Sequence, residues 1–116
     1  MERQDVEIIR GTTNTLEVVV TDADGNLYTP GADEVIIFGV KKRPEHEECV
    51  LMKKIRGSEC AEGICTIELS PADTARLPFG KYIYDVGLRS GDDYHNIIPP
   101  SAFHIEANVT EWGDGA

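Results

Sequence analysis

The stretch that decides the fold is Lys-Tyr-Ile-Tyr-Asp-Val-Gly-Leu-Arg, residues 81–89. Large apolar side chains occupy every second position of this stretch, namely Tyr82, Tyr84, Val86 and Leu88. Charged side chains stand between them, at Lys81, Asp85 and Arg89. Because successive side chains of a β-strand point to opposite faces, this alternation predicts a strand with one face in a hydrophobic core.

The rest of the chain repeats the period-two pattern in further runs. They cover residues 6–10, 15–22, 34–42, 49–55, 62–70 and 101–107. The 34–42 run is apolar on both faces, which predicts a central strand or one covered on both sides. The β-branched and aromatic residues in these runs favour strands over helices. Glycine inside a predicted strand, at Gly39 and Gly87, indicates a bulge or a close backbone approach.

Turn signals separate the runs. Asp24-Gly25 lies in the 22–26 segment, and Gly91 follows the 81–89 run. Glycine tolerates the positive φ that tight turns need, so both segments predict turns between strands. Residues 43–48 predict an exposed loop, because most of them are ionisable.

Proline residues mark two other boundaries. Pro99-Pro100 cannot donate hydrogen bonds to a sheet, so it is expected to break or offset the last strand. Ser70-Pro71-Ala72-Asp73 offers a capping hydroxyl, a proline at the first helical position and an early carboxylate. This segment predicts a short helix that ends near Leu77, before Pro78.

About seven short strands with one short helical connector predict an all-β, immunoglobulin-like β-sandwich. At 116 residues the chain has the length of one domain. We assign residues 1–110 to the sandwich and residues 111–116 to a flexible C-terminal tail.

The composition narrows the classes of function. A formal net charge of −10 argues against nucleic-acid binding, because phosphate contacts rely on clustered Lys and Arg. The chain has no apolar run long enough for a membrane span and no signal peptide at its start, so synthesis in the cytoplasm is expected. Its 3 cysteines and 3 histidines are scattered, so neither a metal nor a cofactor is expected. Free thiols are favoured, although a disulfide between Cys60 and Cys65 is conceivable across a turn.

No catalytic motif stands out, and the chain is expected not to be an enzyme. Three residues are candidate partner contacts. Trp112 lies in a polar tail, where a tryptophan either docks on a partner or folds back on its own domain. Ile97 and Ile98 stand beside the proline pair, where they either cap the core or form an exposed contact patch.

The order of five segments resembles a known family. They are GTTNTLEVVVTDADGN at 11–26, VIIFGVKK at 35–42, GICTIELSPADTARL at 63–77, FGKYIYDVGLRSGDD at 79–93 and FHIEANVT at 103–110. Together they resemble the immunoglobulin-like domain at the N-terminus of phage baseplate upper proteins and of related phage and prophage tail proteins. The resemblance covers roughly residues 7–110.

The resemblance implies a non-enzymatic structural protein with no catalytic residues to carry over. Its partners would be other phage structural proteins, with homo-oligomers expected, and without nucleic acid or membrane. It would be a virion component assembled in the bacterial cytoplasm. The alternative hypothesis is a bacterial immunoglobulin-like adhesion or carbohydrate-binding module.

Overall fold

A computed structural model describes residues 4–43, 45 and 48–107 of the chain. The strands are β1 (Val6–Ile9), β2 (Asn14–Val19), β3 (Glu34–Lys41), β4 (Leu51–Arg56), β5 (Ile64–Leu69), β6 (Gly80–Ser90) and β7 (Asp93–Glu106). A 3-10 turn covers Gly57–Glu59, and α1 (Pro71–Thr74) is one helical turn. The predicted tail at 111–116 lies outside the described residues.

The strands form two sheets that enclose one core. The larger sheet has the order β1-β7-β6-β3-β4, and β2 pairs with β5 in the smaller one. β1 is parallel to β7, and the other pairs are antiparallel. The separation of β2 and β5 from β3, β6 and β7 is similar to that of strands B and E from strands C, F and G in immunoglobulin-like sandwiches. The predicted all-β sandwich of seven strands with one short helical connector is confirmed.

The alternation in the sequence becomes the inner face of the larger sheet. Tyr82, Tyr84, Val86 and Leu88 are all buried in the core. The ring of Tyr84 packs against Phe38 and Phe103, with centroids 5.7 and 5.8 Å apart. Aromatic side chains contribute a large share of buried apolar area, so this cluster anchors the packing between β3, β6 and β7.

The last strand begins earlier than the sequence predicts. β7 starts at Asp93 rather than at residue 101, because a two-residue turn at Gly91-Asp92 pairs Ser90 directly with Asp93. Gly91 has a φ of 62°, which glycine adopts without strain. The strand passes through Pro99-Pro100 with register shifts on either side of Val86, so the prolines offset the ladder and do not end it.

The preference for free thiols at Cys60 and Cys65 was wrong. The two sulfurs are bonded, and their Cα atoms lie 4.5 Å apart. The chain reverses between them, since Ala61 and Ile64 exchange both backbone hydrogen bonds. Glu62 and Gly63 occupy the turn with φ of 52° and 77°. Such a turn places the two flanking residues opposite each other at the short spacing of a non-hydrogen-bonded pair, which is the spacing a disulfide spans.

The helical connector is shorter than predicted. It ends at Thr74 and not near Leu77. The buried Thr74 hydroxyl accepts a hydrogen bond from the backbone N–H of Gly11 at 2.9 Å. The helix therefore docks onto the β1–β2 connection.

Candidate functional site

The main candidate site exists because the two sheets differ in length. β6 and β7 have 11 and 14 residues, whereas β2 and β5 have 6 each. The inner face of the longer hairpin therefore extends past the smaller sheet. The space between them is a cleft of about 580 Å³, which we call the hairpin cleft. The residues that line the hairpin cleft include Val19, Tyr28, Glu34, Asp93, His95 and Ile97.

One wall of the hairpin cleft is held by a hydrogen-bonded pair. The Tyr28 hydroxyl donates to Glu34 Oε1 at 2.5 Å, and the backbone N–H of Gly31 donates to the same oxygen at 2.8 Å. These bonds lower the pKa of Glu34, the Tyr28 bond most, because both stabilise its charged form. The same bond raises the pKa of Tyr28. The carboxylate is thus kept ionised at the mouth of the cleft.

The electrostatic character of the hairpin cleft is acidic. Asp22, Glu34 and Asp93 line it, and His95 is the ionisable nitrogen base among its described lining residues. The floor is apolar and includes the buried Val20 and Leu88, while Val19 at the rim is 53% exposed. An apolar floor with a negative rim suits a basic, partly apolar segment of another protein.

The three predicted contact residues have different outcomes. Ile97 lines the hairpin cleft and is partly buried against the core. Ile98 is only 4% exposed and belongs to the core itself, so it does not form an exposed contact patch. The register shift between them explains the difference, because it places one isoleucine outside the regular alternation of β7. Trp112 lies outside the described residues.

The sequence pattern does not mark the other cleft residues as a site. Glu34 and His95 fall at the ends of strands, where a polar residue has an ordinary explanation as a turn flank. One feature of the pattern does point to the cleft. The inward-facing positions of the 81–89 run continue to Ser90, and Glu34, the residue of β3 that pairs with Ser90, also faces inward. These positions are exposed because the β6–β7 hairpin extends past β2. The apolar pattern predicts a longer strand at 15–22, whereas β2 ends at Val19.

A second depression lies on the outer face of the larger sheet. This outer-face groove has a volume of about 300 Å³ and is lined by Gly39, Cys49, Met52, Asp85 and Tyr94 among others. The Tyr94 ring covers Gly87, since a Cβ there would overlap the Tyr94 hydroxyl, and the strand pairing shifts register beside this glycine, as expected for the predicted bulge. Burial raises the pKa of Tyr94, and the nearby charges of Asp85 and Cys49 act in the same direction.

Within residues 4–43, 45 and 48–107, no three His, Cys, Asp or Glu side chains are grouped so that they could hold a metal ion. No helix in the same part of the chain is both long and apolar enough to cross a membrane.

The fold and its surface depressions define a small β-sandwich. No protein-family model and no curated protein matches this chain.

Proposed function

We propose that the chain is a non-enzymatic structural module that mediates attachment or assembly in a phage or prophage tail or baseplate. The observation that carries the proposal is the hairpin cleft, with its apolar floor and acidic rim at the open end of the sandwich. The phage setting follows from the resemblance of the five sequence segments described above. In this role the sandwich is a rigid scaffold, and its exposed ends contact neighbouring structural proteins.

The charge of the cleft indicates the chemistry of its partner. A partner segment with Lys or Arg beside apolar side chains would pair with Asp93 and Glu34 while covering the apolar floor of the cleft. Complementary charges mainly set the specificity and the rate of such an encounter, and apolar burial supplies most of the affinity.

The test uses particles from the strain that encodes the chain. Tail particles are purified from cells carrying tagged wild-type protein or the variant Asp93→Lys, and the tagged chain is quantified by mass spectrometry. Asp92→Lys is the matched control, because Asp92 is in the same turn and exposed but does not line the cleft. We expect wild type and Asp92→Lys in the particles and a loss of Asp93→Lys. Absence of the wild-type chain from particles, despite normal expression, would contradict the proposal.

The exposed aromatic side chains do not favour the alternative of a carbohydrate-binding module. Tyr28 lines the hairpin cleft, Tyr94 lines the outer-face groove, and Phe79 lies beneath the guanidinium of Arg10. A sugar-binding platform needs rings on one surface, and these three rings lie on separate ones. Saturable binding on a glycan array would restore this alternative.

A further inference from the structure

We propose that copies of this chain associate head to tail, with the β4 edge of one copy pairing antiparallel with the β2 edge of the next. The inference deepens the proposed assembly function and rests on it. It concerns a separate assembly contact, at the strand edges, whose partner is a second copy of the chain. Three observations carry it: the open strand edges, their opposite charges and the match between their side chains.

The first observation is that both strands are edges among the described strands. β4 ends the larger sheet, and β2 has β5 as its neighbour in the smaller sheet. An uncovered edge presents unpaired backbone groups that can accept another strand. Along β2 a groove of about 170 Å³ opens between the sheets and reaches the core side chains Phe38 and Tyr84. A strand added there would close the groove.

The second observation is the charge of the β4 edge. Lys54 and Arg56 are exposed on this strand, and Lys53 pairs with Asp73 at 2.9 Å. Two β4 strands cannot pair favourably with each other, because an antiparallel pairing of two copies sets basic residues opposite one another. Depending on the register, Lys54 lies opposite Lys54 or Arg56, or Lys53 lies opposite Lys53. Lysine on an edge strand is a common protection against pairing of like edges. The edge instead selects an acidic partner strand.

The β2 edge has the complementary chemistry. Its charged residue is Glu17, which is exposed between Thr15 and Val19. Val19 is 53% exposed, and Met52 on β4 is 50% exposed. Both strands have 6 residues and neither contains proline, so the two edges match in length.

One antiparallel register pairs the exposed charge of each strand with the other. With Lys54 opposite Glu17 of the second copy, Met52 falls opposite Val19 and Ile55 falls opposite Leu16. The first pair joins opposite charges, and the other two join apolar side chains on the outer and inner faces. Directly opposed pairs of these kinds are the ones that stabilise neighbouring strands.

The layers of the sandwich permit this pairing. Lys54 of β4 and Glu68 of β5 line one groove, so these two strands lie on the same side of the sandwich. Val6 of β1 and Leu16 of β2 line another groove, so these two strands lie together on the other side. If the second copy is turned over about the line of contact, its β2 lies beside β4 of the first copy. Its β1 then lies towards β5 of the first copy. The five-stranded sheet is wider than the two-stranded one, so the overhanging edges of the two copies interleave. Because the two contacting surfaces differ, the association repeats and does not stop at a pair.

The test is a charge exchange followed by sedimentation velocity at about 0.15 M salt, where the Debye length is ~8 Å. Wild type should form larger species as its concentration rises towards the millimolar range. Lys54→Glu alone and Glu17→Lys alone should each weaken self-association about tenfold, because each sets like charges opposite one another. An equimolar mixture of the two variants should restore association, since every contact then joins opposite charges.

Matched controls separate a specific contact from net charge. Lys81→Glu and Asp24→Lys change the net charge by the same amounts at exposed positions on β6 and in the β2–β3 connection, away from both edges. We expect these variants to associate like wild type. Circular dichroism melting curves would verify that all four variants are folded.

Three results would overturn the inference. They are a wild-type chain that stays monomeric at every concentration, association that is indifferent to both edge variants, and a mixture that fails to recover. A monomeric chain that is nevertheless present in tail particles would refute this inference alone. Self-association of a chain that is absent from particles would refute the tail function alone.

Discussion

The close contact between Gly57 and Gly31 predicts a large loss of stability when Gly57 is replaced by alanine. A Cβ added to Gly57 would lie 1.9 Å from the carbonyl oxygen of Gly31 and 3.0 Å from the carbonyl carbon of Pro30. Real Cβ atoms keep at least 3.0 Å from such neighbours, so the two segments would have to separate by about 1 Å. Both neighbours are backbone atoms, and no side-chain rotation can relieve the overlap.

We therefore expect Gly57→Ala to reduce the free energy of unfolding by about 3 kcal/mol, at the upper end of the usual cost of overpacking. For a domain of this size the melting temperature should fall by about 10 °C. The measurement is urea and thermal unfolding followed by circular dichroism. Gly57 is not among the glycines with positive φ, so the loss would report the steric contact and not backbone strain.

Gly31→Ala is the matched control at the same contact. The nearest atom to a Cβ on Gly31 is Glu34 Oε1 at 3.7 Å, an ordinary contact distance. Its unfolding free energy should stay within about 0.5 kcal/mol of wild type. If Gly57→Ala loses less than about 1 kcal/mol, the close approach of the two segments is refuted.

Three further predictions concern local features. Reduction of the Cys60–Cys65 disulfide, whose sequence separation is 5, should cost about 2 kcal/mol of unfolding free energy, and identical melting with and without reductant would contradict this. Glu62→Asn should stabilise the turn by about 1 kcal/mol, because Asn tolerates the φ of 52° better than Glu; an unchanged urea midpoint would argue against strain there. The folded pKa of Glu34 lies below its ordinary value of 4.5, so its contribution is present above that pH and is lost as the pH falls through the folded pKa. Tyr28→Phe should flatten this acid-side loss in unfolding titrations, and an unchanged pH profile would show that the hydrogen bond does not set the pKa.

Much of the strand pattern could be predicted from the sequence. The alternation in residues 81–89 places Tyr82 and Tyr84 on the buried face, and the structure buries both. The turn residues predict chain reversals at Gly25 and Gly91, and both glycines have positive φ in the structure. These features are local: a strand's side chains alternate and a tight turn needs glycine, whatever the partner strands are.

The candidate site could be predicted only in part. Ile97 lines the hairpin cleft, but Ile98 is a core residue. The two are adjacent in the chain, and the register shift opposite Val86 and Gly87 separates their roles. A shift of this kind depends on the partner strand, so the apolar pattern of one segment does not reveal it.

The alternating runs of the sequence by themselves determined most of the strands and which of their side chains are buried, because period-two burial is a property of each strand alone. Only the tertiary structure decided that Cys60 bonds to Cys65, that β7 continues past Pro99-Pro100, and that the β6–β7 hairpin overhangs the smaller sheet. Each of these depends on which strands are neighbours and how far each one extends. The hairpin cleft and the open edges of β2 and β4 exist because five strands pack against two.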